Sequence, residues 1–256
     1  MYEHHLQVHD LPEDVESRTL AGCTVIVIDL LRASTTICQA LAAGAREVVP
    51  FRDVEETLTA ANRVGRANVV LGGERGGRRI DGFDLGNSPA EYTPEAVGGR
   101  TVFITTTNGT QALYHARFAC RVVIGALVNR SAVVASVKNE RRIDILCAGT
   151  NGRETKEDRL AAGAMVGDLC AEPGADWYLN DAARSARDSW AVQIGKAHAT
   201  SRSLRDRLAI DLRSTPGGRN LIGIGLDKDL VDCAEIDRLN IVPELDVRAW
   251  RIRLAQ

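Results

Sequence analysis

The chain has 256 residues, 45% of them apolar and 26% charged, with 32 Lys and Arg against 34 Asp and Glu for a formal net charge of −2. That length can bury a sizeable core, as one domain or two closely joined ones, and the near-neutral balance argues against nucleic acid, whose binding demands a basic excess. No apolar stretch reaches the roughly 20 residues that cross a bilayer, so no membrane partner is expected.

The start, MYEHHLQVHDLPEDVESR, is polar and acidic rather than a secretory signal peptide. The six cysteines (Cys23, Cys38, Cys120, Cys147, Cys170 and Cys233) are scattered, without a Cys-x-x-Cys pair, and several sit in apolar runs as small reduced hydrophobes. A cytoplasmic protein is expected. The neighbours His4 and His5 read as solvated residues, not metal ligands.

In chain order, residues 24–30 (TVIVIDL) predict a strand buried on both faces, followed by an Ala-rich helix over 34–45. A strand at 46–51, a helix at 53–65 opened by Asp53 and closed by Gly65, and a strand at 67–73 come next. A Gly-rich passage, ERGGRRIDGFDLGNSPAEY, leads to strands at 101–107, 121–127 and 142–149, with helices at 109–118, 130–139 and 156–171. Strands alternating with helices imply βαβ crossovers and a mostly parallel sheet covered on both faces. Residues 185–209 read as helical with Gly195 a candidate break, 214–225 as a glycine turn, and the end as β-like. The expected fold is α/β: a three-layer α/β/α unit over 1–175 with a mostly parallel sheet, and a C-terminal α+β subdomain over 176–256 packed on it as one compact unit.

Open parallel sheets bind ligands beyond the carboxyl ends of their strands, where helix N-termini present free N–H groups. Four expected strand ends carry unusual polar residues. The first is Asp29 with Arg32, Ser34, Thr35 and Thr36. A carboxylate ending an apolar strand is costly unless a cation or donors accompany it; Arg32, a helix N-terminus or a metal ion would each serve. The second, GGERGGRRIDGFDLGNSP, offers Glu74 and Asp84 as hard oxygen ligands, Arg75 as a planar fork for an anion, and Asn87. The third, Thr105, Thr106, Thr107, Asn108, Gly109 and Thr110, suits an anion cradle, with glycine permitting close backbone approach; simple helix capping is the plainer alternative. The fourth, CAGTNGRETKED, places Asn151 in a turn and Glu157 and Asp158 in a helix's first turn, where acidic residues also complement the dipole.

Together VIDLLRASTTI, GGERGGRRIDGFDLGNSPAEY, TTTNGTQAL and CAGTNGRETKED, with the ending STPGGRNLIGIGLDKDLVDCAEIDRLNIVPEL, resemble the 2-phosphosulfolactate phosphatase family of coenzyme M biosynthesis. The resemblance runs from about Val8 to Pro243. It implies a Mg2+-dependent phosphoric monoester hydrolase that converts 2-phosphosulfolactate, or a related 2-phospho-hydroxy acid, to the hydroxy acid and phosphate. On that reading Asp29, Arg32 and Glu74 are catalytic. The metal set is drawn from Asp29, Glu74, Asp84, Glu157 and Asp158. The small polyanionic substrate rests on Arg75, Asn87, the Thr105 to Thr110 residues and Asn151. Attack by metal-activated water and attack by Asp29 itself both remain open, although Leu31 stands where aspartyl-phosphatases of the haloacid dehalogenase type carry a second Asp.

Two competing readings accompany it. CAGTNGR fits the C-x5-R spacing of a metal-free cysteine phosphatase using Cys147 and Arg153, and the anion cradle alone would suit a non-enzymatic metabolite-binding protein. A homodimer is the base-rate expectation for an enzyme of this size.

Overall fold

The computed structural model describes residues 4–174 and 176–255. The first half runs β1 (His4–His9), β2 (Thr24–Ile28), α1 (Ala33–Ala42), β3 (Glu47–Pro50), α2 (Val54–Val64), β4 (Val69–Arg75), β5 (Arg78–Arg79), α3 (Pro94–Val97), β6 (Thr101–Thr105) and α4 (Gly109–His115). The second continues with β7 (Arg121–Ile124), α5 (Arg130–Val137), β8 (Arg142–Cys147), α6 (Lys156–Ala171), β9 (Trp177–Leu179), α7 (Asp181–Ala199), α8 (Leu204–Arg213), α9 (Pro216–Gly223), α10 (Asp229–Cys233), β10 (Pro243–Asp246) and β11 (Arg251–Leu254). The chain is α/β with a large, mostly parallel sheet, as its alternating pattern predicts.

Why the apolar runs become central strands is visible at β2, where every residue is buried. Ile26 abuts Gly125, which in turn meets Met165 of α6, whereas Val27 on the opposite face borders a small void together with Ile37 of α1 and Leu113 of α4. Side chains alternate across a strand, so a β-branched run buried between two helical layers needs apolar residues at every position, not every second one. A smaller core of Ala61, Val69, Leu71, Phe83 and Phe103 lies under α2.

The sheet order is β5-β4-β6-β3-β11-β10-β7-β2-β8-β1-β9. β4, β6 and β3 form one parallel block, and β7, β2, β8, β1 and β9 another. The C-terminal hairpin β10–β11 is wedged between them through antiparallel pairings on both sides. Three successive antiparallel steps leave the two blocks running in opposite senses. Twist of roughly 20–25° per strand accumulates over the five steps from β6 to β2 to about 100° or more, which swings the carboxyl end of β6 round towards that of β2. The two ends meet: a Cβ built on Gly109, after β6, would lie 2.7 Å from Asp29 Oδ2, after β2.

Several elements depart from the sequence reading. The polar start contains β1, whose Leu6 and Val8 are buried beside β8. The helical stretch at 185–209 breaks at 200–203, where Ser203 caps α8, and Gly195 stays inside α7. The supposed glycine turn at 214–225 holds α9: Thr215 accepts a hydrogen bond from Gly218 N and Pro216 occupies the first turn, where its missing N–H costs nothing.

Candidate active site

Asp29 stands directly after β2, in the turn that leads into α1. Its Oδ1 accepts from Ala33 N at 3.3 Å, its backbone N–H donates to Ser34 Oγ at 2.9 Å, and its carbonyl accepts from Ser34 N. The side chain is only 8% exposed. Burial raises its carboxyl from 3.8 to about 7, with Glu74 and Glu157 adding to the rise and Ala33 N and Arg32 opposing it. Arg32, three residues on, is spoken for. Its guanidinium donates to Asp229 Oδ2 at 2.6 Å and to Gly77 O at 2.7 Å, and Ser88 Oγ donates to the other oxygen of Asp229. Both charges are buried. Removing one partner of such a pair strands the other, so Asp229→Ala is expected to cost about 3–5 kcal/mol in denaturant unfolding; a loss under about 1 kcal/mol would contradict the pair's role in fixing Arg32.

Glu74 sits where β4 turns into β5 through Gly76 and Gly77. Their φ of 60° and 85° is the left-handed geometry that a two-residue hairpin demands and glycine supplies. The Glu74 carboxylate accepts from Gly77 N and from Thr107 N, both at 2.7 Å, and so ties this hairpin to the turn after β6. In that turn Thr106 and Thr110 hydrogen-bond reciprocally, and Asn108 Oδ1 accepts from Asn151 N. Gly109 is buried against Ala33 and Asp29, where any side chain would collide.

The first turn of α6 brings Glu157 and Asp158 behind Asp29. Asp158 accepts from Leu30 N and Gly149 N at 2.8 and 3.0 Å, joining the ends of β2 and β8. Burial, then repulsion from Asp29 and Glu157, push its carboxyl well above the usual range. Burial also raises Glu157, whose Oε2 has no hydrogen-bond partner. Gly217 of α9 comes so close that its Cβ would stand 2.5 Å from Glu157 Oε1.

These elements enclose a cavity of about 380 Å3, lined by Asp29, Arg32, Glu74 and Asn87, by Thr107, Asn108 and Asn151, and on the far side by Pro216, Gly217 and Asn220. Four mutually repelling carboxylates adjoin it, while its one lining guanidinium is already bound to Asp229. Three oxygens around it, Asn87 Oδ1, Thr107 Oγ1 and Glu157 Oε2, are buried without partners among the described residues. That donor set fits a hard divalent cation. Among the described residues no three His, Cys, Asp or Glu side chains converge as an all-protein cage requires. Mg2+ needs no cage: it is usually held by one or two carboxylates, with waters and substrate oxygens completing the shell.

The expected site residues divide. Asp29, Arg32, Glu74, Asn87, Thr107, Asn108 and Asn151 line the cavity, and Glu157 and Asp158 buttress it. Asp84 lies elsewhere, since it is exposed, bound to Arg66 at 2.7 Å, and accepts from Leu71 N. Arg75 is turned onto Glu74 O and Thr105 Oγ1, so Arg75, Thr105, Thr106, Gly109 and Thr110 shape the turn and do not line the cavity. The cysteine route finds little support in the structure. Cys147 is buried in β8, where burial and then Asp158 push its thiol up and away from the thiolate form, and Arg153 is exposed. Pro216, Gly217, Asn220 and Asp229 escaped the sequence reading. They lie in the C-terminal stretch that carries the family resemblance, and the Thr-Pro helix start at 215–216 is the local signal for the first three.

A family model described as 2-phosphosulpholactate phosphatase matches residues 9–247. Three similar curated proteins carry the name "Probable 2-phosphosulfolactate phosphatase". That of Caldanaerobacter subterraneus subsp. tengcongensis is 36% identical over 94% of this chain and 95% of its own length. That of Symbiobacterium thermophilum is 40% identical over 88% and 91%, and that of a Synechococcus species 39% over 92% and 94%.

Proposed function

The chain belongs to the 2-phosphosulpholactate phosphatase family, and from that premise we propose that its cavity hydrolyses 2-phosphosulfolactate, or a related 2-phospho-hydroxy acid, with Mg2+ as cofactor. The observation that carries this reading is the gathering of Asp29, Glu74, Glu157 and Asp158 about one small cavity, with unpartnered oxygens and, among the described residues lining it, no free cation to balance them.

Asp29, which lines the cavity, would hold the ion, with Glu157 behind it adding negative charge. Glu74 and Asp158 have both oxygens engaged by backbone N–H groups, and their part is to fix the loops and sustain the negative field that draws the cation in. Bound there, Mg2+ would neutralise phosphoryl charge and activate a water. The chain's own residues position the ester. The Asn87, Asn108, Asn151 and Asn220 amides ring the cavity and can donate to phosphate, carboxylate or sulfonate oxygens. Arg32, held by Asp229 and Gly77, presents a fixed positive charge at the wall without competing as a mobile counter-ion. α9 closes the side opposite β2 and limits the entry of bulk water.

Phosphate release measured on a panel of 2-phospho-hydroxy acids, with 2-phosphosulfolactate among them, tests the reading. Turnover lost in EDTA, restored by Mg2+ and retained in Cys147→Ser is expected. Activity that survives chelation and disappears in Cys147→Ser would overturn it, as would binding of every ester without phosphate release.

A further inference from the structure

Beside the cavity lies a larger cleft of about 570 Å3 that the reaction does not use. Its walls are the start of α6, the third and fourth turns of α7, and Pro216 of α9, which also lines the cavity. We propose that this cleft is a second binding site, for a 2-hydroxy carboxylate with a short branched apolar chain, and that its occupancy is transmitted to the cavity through α9.

The chemistry of the walls defines the ligand. Gln193 is 3% exposed, and its Oε1 is buried in the wall without a hydrogen-bond donor. A buried acceptor left unmade is costly, so the complementary ligand brings a donor such as a hydroxyl. The charges at the rim nearly cancel within the protein. Arg159 grips Asp10 with two nitrogens at 2.9 and 2.6 Å and Glu154 at 2.6 Å, and Lys156 reaches Asp211 at 3.2 Å. Among the described residues Lys196, one turn on from Val192, has no such carboxylate. Its ammonium, exposed at the rim, is available to one negative charge on the ligand. Leu160, Pro216 and Val192, the last 53% exposed despite being apolar, supply the surface for a branched hydrocarbon chain.

The link to the cavity is short. Pro216 forms part of both walls, the adjacent Gly217 packs on Glu157 Oε1, and Glu157 follows Lys156 in the first turn of α6. A ligand pressing on Pro216 therefore acts on the helix that closes the cavity and on one of its carboxylates.

The test uses the full chain with 2-hydroxyisocaproate and its deoxy analogue isocaproate as probes, titrated calorimetrically into wild type, Lys196→Ala, Gln193→Leu and Asp29→Asn. The hydroxy acid is expected to bind at least tenfold more tightly than isocaproate. Lys196→Ala should weaken both at least tenfold, Gln193→Leu should erase the preference, and Asp29→Asn should leave binding unchanged. Saturating hydroxy acid should also shift KM or kcat of wild type but not of Lys196→Ala. Equal binding of the two acids, no binding, binding indifferent to Lys196, or binding lost in Asp29→Asn would each overturn the proposal. Because Lys196 is exposed, its variant keeps the test decisive even where Gln193→Leu does not fold.

Discussion

Asp29→Asn is expected to lower turnover at least about a thousandfold, roughly 4 kcal/mol of barrier, while the protein folds normally and gains stability at pH 8 in the absence of divalent cations. The two effects share one cause. Ionised Asp29 is the charge through which the cavity would engage Mg2+, and a bound metal supplies several kcal/mol of transition-state stabilisation; an amide gives up that charge. Asn keeps the acceptor for Ala33 N, so the start of α1 persists. The gain arises because burial raises this carboxyl from 3.8 to about 7, and each unit of displacement is about 1.4 kcal/mol. Holding Asp29 ionised at pH 8 without a counter-ion thus costs on the order of 4 kcal/mol, which the amide removes. At about 2–4 °C per kcal/mol for a chain of this size, Tm should rise several degrees. Full turnover, or a fall in Tm under these conditions, would contradict the assignment.

The pH dependence of stability is the second large effect, and its sign is fixed by the direction of the shift. Between 3.8 and about 7 the native Asp29 retains a proton that the unfolded chain has released, so stability must fall as pH rises across that window. The contribution is complete below the lower value and is lost through the upper one. Asp158 and Glu157, raised by burial, act in the same sense. Glu47 and Asp144, where ion pairs and hydrogen bonds outweigh the effect of burial, act oppositely but at more acid pH. A divalent cation bound there would compete with the proton for the same oxygens, so Mg2+ should raise Tm more at pH 8 than at pH 5, by a margin that grows with its concentration. Thermal unfolding in EDTA and in MgCl2 across this range provides the check. A flat profile in EDTA, or a Mg2+ effect equal at both pH values, would contradict the account.

What the sequence could reveal follows from how local each signal is. The run TVIVI, buried on both faces, and the strand–helix alternation are short-range patterns, and the central strands, most helices and the α/β class follow from them, whereas β1, β5 and β9 do not. The wedge of β10–β11 between two oppositely directed blocks rests on pairings some 200 residues apart, such as Ile252 with Val48, and no local pattern encodes it. The same holds at the site. Asp29, Glu74, Thr107 and Asn108 announced themselves as polar residues at strand ends. Asp84 and Arg75 looked equally suitable by type, but the first is committed to Arg66 and Leu71 and the second to Thr105. Asp229 gave no warning, being an ordinary helix residue until the fold carries Arg32 to it.

The placement of the cation is tested most directly by crystals grown with Mn2+ in place of Mg2+ and examined by anomalous scattering. One strong peak is expected in the cavity against the Asp29 carboxylate, absent in Asp29→Asn. A peak held by residues away from this cavity, or one that persists unchanged in the variant, would contradict it.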